Sequence, residues 1–248
     1  MKRSKNTQKK SVFNDSVVSF LVVLIGLALI GGLLTLIFAF VNGVFTIDHT
    51  PRTYEEFTVA TAKSYLERAT DVDKPQAWVD YIIALVDSGQ MADAKTQLAS
   101  LEASGLDMTR TQAILFAQAY ILEAENRLDA AVELYRELAA KLMAAYDEEF
   151  ARGGDKNWAT GFGVPKNYYV AHLRMANIAL RQEDWEAAVK AMDVYLEGNP
   201  QHAGMLIDRG NAKLALGDRE GALKDFNAAL RYLPNDPEAL KGKEKAEE

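Results

Sequence analysis

Pro200 and Pro234 stand 34 residues apart, and each follows a run with helical hydrophobic periodicity. Superimposing the two runs on these prolines brings Ala188 onto Ala222, Asn177 onto Asn211, Leu180 onto Leu214 and Leu196 onto Leu230. A fixed period that returns small and large residues to the same places makes each period one supersecondary unit. Within the last period Leu223, Phe226 and Leu230 recur at i, i+3 and i+7, the stripe of an amphipathic helix. One helix pair cannot bury such a stripe alone, so the units must stack and share a core that runs along the array. The expected fold class is all-α, a solenoid of helix hairpins.

The periodic positions carry a recognisable pattern. The period from Ala203 has Leu206 at position 4, Gly210 at 8, Gly217 at 15, Ala222 at 20, Phe226 at 24, Ala229 at 27 and Pro234 at 32. The period from Tyr169 keeps Ala176, Ala188 and Pro200, and departs with Met192 and Tyr195 at positions 24 and 27. Two weaker copies precede them. The one from Pro75 keeps Trp78, Gly89 and Ala94, with Leu106 in place of the proline; the one from Gln112 keeps Ala119, Asn126, Ala131 and Tyr135. Small residues at 8 and 20 let two antiparallel helices approach, and the larger residues fill the space between units. The pattern resembles the tetratricopeptide repeat. The resemblance implies repeats at about 75–108, 112–145, 169–202 and 203–236, with a helix from Tyr54 to Ala69 as a preceding half-unit, within a solenoid over 53–248. After Pro234, Asp236 suits a helix N-cap and Pro237 its first turn, so 237–248 reads as a charged terminal capping helix.

The register breaks once. Ala131 and Ala188 are 57 residues apart, one period plus 23. The extra material, about 146–168, holds the glycines and proline of 153–165 and the aromatic residues Trp158, Phe162 and Tyr168. Insertions between repeats gather on one face and serve as binding elements, or pack as loops on the neighbouring unit. The sequence leaves both readings open.

Towards the N-terminus the character changes. No charged residue stands between Asp15 and Asp48, and Val17–Val41 is apolar apart from Ser19 and Thr35. About 20 apolar residues at 1.5 Å each cross a hydrocarbon core of roughly 30 Å. Lipid accepts such a run only as a helix, so 17–45 is expected to be a transmembrane helix, followed by a linker at 46–52. A cleaved signal peptide is the alternative, but its apolar region is shorter and ends at a small-residue cleavage site. The tail 1–16 carries Lys2, Arg3, Lys5, Lys9 and Lys10 against Asp15. By the positive-inside rule the N-terminus is cytoplasmic and the C-terminal domain extracytoplasmic. Ala28 and Gly32 have the i, i+4 spacing through which membrane helices pair as homodimers; glycine simply tolerated in an anchor is the other reading.

The formal net charge of −7 disfavours general nucleic-acid binding, which needs a basic face. With no cysteine, disulfide scaffolds, thiolate metal sites and thiol catalysis are excluded. The three histidines, His49, His172 and His202, form no metal-binding spacing, and no phosphate loop or catalytic pair stands out. The expectation is therefore no enzyme, no cofactor and no metal. In the tetratricopeptide family the first helix of each unit lines a concave face. Carried over by position, this gives Val79, Ile83, Phe116, Tyr120, Leu173, Asn177, Ile207, Asn211 and Leu214 as groove candidates. Some members hold a C-terminal carboxylate there with Lys and Arg beside Asn. Leu173 and Ile207 stand where the lysine would be, leaving Arg174 and Arg181 near by as partial substitutes. An apolar groove with two amides fits an extended or helical peptide better. The implied function is a membrane-anchored adaptor, assembly factor or chaperone-like subunit that binds other proteins or peptides, membrane-bound or exported. A self-associating scaffold of the cell envelope is the alternative.

Overall fold

The hairpin turns set the architecture. A computed structural model of the chain describes residues 53–105, 107–151 and 166–248. These form ten helices: α1 (Tyr54–Arg68), α2 (Lys74–Asp87), α3 (Met91–Ala103), α4 (Met108–Ala124), α5 (Leu128–Ala151), α6 (Lys166–Arg181), α7 (Trp185–Gly198), α8 (Ala203–Ala215), α9 (Arg219–Tyr232) and α10 (Pro237–Glu247). Helices α2/α3, α4/α5, α6/α7 and α8/α9 are paired. Each pair turns over one residue with positive φ: Gly89 (78°), Asn126 (60°), Glu183 (56°) and Gly217 (81°). All four fall at position 15 of their period. Each closes the same double bond, as where Gly217 N–H donates to Leu214 O at 3.0 Å and Asp218 N–H to Lys213 O at 2.8 Å. This is the Schellman arrangement, which satisfies the last carbonyls of the first helix. The second helix then starts on a fresh cap in two of the four pairs, where Asp184 accepts from Ala187 N–H at 3.0 Å and Asp218 from Gly221 N–H at 2.9 Å.

Small residues bring the paired helices together. Ala94, Ala131, Ala188 and Ala222, all at position 20, have no exposed surface. Position 24 presents the large partner: Tyr135, Met192 and Phe226 are fully buried. The Phe226 ring lies against two glycines. A Cβ placed on Gly210 would come within 2.8 Å of it, and one on Gly242 within 2.4 Å. The ring thus fills the space that α8 and α10 both leave open. Buried residues form two clusters, one running from Val79 to Ile178 and one from Ala176 to Ala246. They meet on α6, which gives Ala171 and Ile178 to the first and Ala176 and Ala179 to the second.

The ends differ. Helix α10 starts on Asp236, whose carboxylate accepts from Glu238 and Ala239 N–H at 3.0 and 2.9 Å, and buries only Ala239, Gly242 and Ala246. Helix α1 packs on α2 yet has no buried residue.

Described helices extend into both ends of the expected insertion. Helix α5 continues to Ala151, and α6 begins at Lys166, three residues before the period from Tyr169. Tyr168 is therefore a helical residue. Its ring packs edge-on against Tyr169 at 5.4 Å and beside His172 at 4.5 Å. Trp158 and Phe162 lie outside the described residues, as do the tail 1–16, the expected span 17–45 with Ala28 and Gly32, and all of the linker 46–52. Among the described residues no helix is long and apolar enough to cross a membrane.

Candidate functional site

The first helices of three successive units, α2, α4 and α6, enclose a groove of about 560 Å³. Each contributes residues spaced three or four apart, which share one helix face. From α2 come Gln76, Val79, Asp80 and Ile83; from α4 Thr109, Gln112, Ala113 and Phe116; from α6 Lys166, Asn167 and Val170. Val79, Ala113 and Phe116 are buried and form the floor, while Ile83 and Val170 are half-buried and reachable. The rim is mostly amide and hydroxyl, with one lysine and one aspartate. Asn167 Nδ2 donates to Gln76 Oε1 at 3.5 Å, and Gln76 Nε2 donates to Asp80 Oδ1 at 2.8 Å, so the rim amides run from α6 to α2. Chemically, such a lining can cover apolar side chains and bond a polypeptide backbone as donor and acceptor.

The nine groove candidates do not form one surface. Val79, Ile83 and Phe116 line this groove. Ile207 is 4% exposed and belongs to the second core cluster, against which Leu173 and Leu214 also pack. Position 5 there contributes to the core rather than to an open groove. Asn211 is already engaged, its Nδ2 donating to Glu238 Oε1 of α10 at 3.1 Å. Asn177 is half-buried. The expected pair of free amides is thus reduced, and the amides at the groove are instead Gln76, Gln112 and Asn167. Sequence reasoning missed Lys166 and Asn167 because they were assigned to the insertion. Extending α6 back through the helix-compatible Lys166-Asn167-Tyr168 would have found them.

Tyr120 and the arginines form a separate, internally closed cluster. Glu123, 7% exposed, accepts from Arg174 at 2.9 and 2.8 Å and from the Tyr135 hydroxyl at 3.2 Å, with Arg181 at 3.7 Å. Arg181 also donates to Asn126 Oδ1 at 3.1 Å. Arg174 stacks 4.6 Å over the Tyr120 ring, whose hydroxyl donates to Asp87 Oδ1 at 2.7 Å. Burial, then the Asp87 bond, pushes the Tyr120 phenol up; burial, then the Glu123 charge, does the same to Tyr135. Both stay protonated as donors. Glu123 engages the Arg174 guanidinium, while Arg181 stands 3.7 Å from the same carboxylate with 47% of its side chain exposed. The cluster ties α4 and α5 to α6 across the insertion.

A second cavity of about 540 Å³ opens where α5, α6 and α7 meet, floored by Ala139, Ala179 and Ala191 and rimmed by Glu133, Arg136 and Lys190. His172 reaches it from α6. Its Nδ1 donates to Tyr168 O at 2.9 Å, and burial lowers its pKa, so the ring is neutral at pH 7. No period-based argument pointed here, because the cavity arises from how two units stack and not from any one motif.

Comparison with known proteins agrees with the geometry. Residues 80–147 and residues 175–245 each match a family described as tetratricopeptide repeat. Among curated proteins, the peptidyl-prolyl cis-trans isomerase PASTICCINO1 of Arabidopsis thaliana is 27% identical over 137 residues, covering 53% of this chain. The chain spans 21% of that relative's length. Among solved structures, BtubC from P. vanneervenii superimposes with a TM-score of 0.52 at 16% identity, covering 79% of this chain and 87% of BtubC. A MamA structure covers 68% of this chain and 84% of its own at 16% identity, with a TM-score of 0.48. At such identity the likeness to BtubC concerns the fold.

Proposed function

Residues 80–147 and 175–245 belong to the tetratricopeptide-repeat family, and from that premise we propose that the chain is a membrane-anchored interaction module that takes segments of other polypeptides into the groove of α2, α4 and α6. One observation carries the reading: a groove with an apolar floor and an amide rim, continuous over three units. Repeat solenoids offer extended surfaces of this kind. The isomerase activity in the name of PASTICCINO1 is not carried over, since this chain corresponds to a fifth of that protein.

Anchoring is supported by the uncharged stretch between Asp15 and Asp48 and by the five basic residues before it. A bilayer tether raises the effective concentration of the groove toward other membrane-bound or exported partners. This fits an adaptor, assembly factor or chaperone-like subunit whose C-terminal domain is extracytoplasmic. Alkaline extraction of membranes, with a membrane-impermeant maleimide on a Leu216→Cys variant in intact cells, tests span and side. The chain has no cysteine, so the label reports one site.

The groove is tested by a photo-crosslinking residue placed at Ile83, Gln112 or Val170, with exposed Lys224 as control. Shared capture of the same polypeptide at the three groove positions, absent at Lys224, is the expected result; equal capture at Lys224 overturns it. A stable dimer in mild detergent that is lost on Gly32→Leu, without groove capture, would replace this reading with the self-associating scaffold.

A further inference from the structure

Helix α1 is the first described helix of the array, and its surface is unlike that of the other end. Tyr54 is 81% exposed, Phe57 57% and Tyr65 46%. At 100° per residue the three fall within an arc of about 80°, and they extend along about 16 Å of helix. They form one aromatic stripe beside the face that packs on α2 through Val59. Exposed Thr61 and Arg68 fall within the same arc, while Glu56, Ala60, Lys63 and Glu67 lie on the opposite side of the helix. A solenoid end that meets water carries a polar outer face; on α10 Lys241, Glu244, Lys245 and Glu247 are exposed, with Leu240 the one large apolar side chain beside them. The α1 end has aromatic rings in that place.

We infer that this stripe of Tyr54, Phe57 and Tyr65 seats α1 in the interfacial layer of a lipid bilayer, parallel to its plane. The inference rests on the proposed anchoring at 17–45. Nine peptide steps separate Phe45 from Tyr54, a reach of at most about 32 Å. That length keeps α1 within reach of the interfacial layer, where tyrosine is enriched. Helices bind such interfaces with a shallow face carrying their aromatic residues and a polar face toward water; on α1 the three rings share their arc with Thr61 and Arg68, and the charges of Glu56, Lys63 and Glu67 lie opposite. Arg68 stands on the aromatic side at the end of the same helix, where a headgroup phosphate is a natural partner.

The absence of cysteine makes single-site nitroxide labelling clean. The full chain would be reconstituted in phosphatidylcholine–phosphatidylglycerol vesicles, with labels introduced by Phe57→Cys, Tyr65→Cys, Ala60→Cys, Leu216→Cys and Ile30→Cys. Accessibility to oxygen relative to a water-soluble nickel chelate reports depth. The expected result is a ratio severalfold higher at 57 and 65 than at 60 and 216, with 30 deeper than all of them. If 57 and 65 match 216 while 30 reads hydrocarbon, anchoring stands and the docking of α1 is overturned. If 30 reads water, the anchor falls and the inference with it. Spin–spin broadening between copies at 57 would assign the stripe to a second chain, which also overturns it. All labelled positions on α1 are exposed, and helical circular dichroism checks each fold.

Discussion

At the scale of single residues, position 15 of each period governs the hairpin. Left-handed backbone there is comfortable for glycine and tolerable for asparagine, whose short side chain bonds locally. Gly89, Asn126 and Gly217 follow that chemistry, and so were legible in the sequence. Glu183 does not, yet takes φ of 56° and closes the same pair of bonds. Its neighbours on both helices over-determine the turn, and the residue pays with backbone strain. Glu183→Gly is therefore expected to stabilise the chain by about 0.5–1 kcal/mol, and Gly217→Ala to destabilise it by about 1 kcal/mol. A Cβ on Gly217 would meet no neighbouring atom within 4 Å, so the second effect isolates backbone conformation from packing. Urea unfolding midpoints at constant m-value measure both. Equal midpoints for Glu183→Gly and the parent would show that the glutamate side chain earns its place through interactions on the folded surface.

At the scale of elements, what the sequence made legible was whatever a period repeats. The alanines at position 20 and Phe226 at position 24 are where a helix pair needs a small and a large residue, and they are buried. What it hid depends on neighbours that no period encodes. Ile207 looks like a groove residue by position, but it is buried within the second core cluster. Asn211 looks like a free amide, but Glu238 of α10 takes its donor. The groove amides Gln112 and Asn167 come from helices that begin before the repeat register does. The docking of α10 illustrates the point at one contact. Gly242 reads as a weak residue in a helix interior, where alanine would raise helix propensity by up to about 1 kcal/mol. In the fold its missing Cβ admits the edge of the Phe226 ring. Overpacking of a rigid aromatic costs about 1–3 kcal/mol, so Gly242→Ala is expected to lose stability despite the better propensity. The paired variant Gly242→Ala with Phe226→Leu should recover part of the loss. Hydrogen exchange localises the effect: amides of α10 should lose protection first, while those of α4 and α5 keep theirs.

At the scale of the whole array, stability is a sum of units and of the contacts between neighbours. The weak point is set by α6, which serves both core clusters. The covalent path into α6 passes through an insertion, so α5 and α6 are joined mainly by packing and by the Glu123 cluster. Arg174 reaches from α6 to Glu123 on α4, which also accepts from Tyr135 on α5. Removing one partner of a buried ion pair leaves the other charge without compensation, at about 3–5 kcal/mol when both are fully buried. Arg174 is partly exposed, with 27% of its side-chain surface open, so about 2 kcal/mol is the better expectation for Glu123→Ala. Replacing both residues, Glu123→Leu with Arg174→Leu, should cost less than the single change, because no lone charge remains. The loss falls on one junction and not on the units. The variant is therefore expected to unfold in two steps, with α7–α10 retaining exchange protection at urea concentrations where α2–α5 have lost it, or the reverse. If instead Glu123→Ala shifts a single cooperative transition with uniform loss of protection, the apolar contacts of Ala171 and Ile178 already couple the two halves more strongly than the ion cluster does. The groove, which takes Val170 from α6 and its floor from α2 and α4, would then keep its shape without the cluster. Groove capture measured on the same variant separates the cases: it should fall where the junction loosens and persist where it does not.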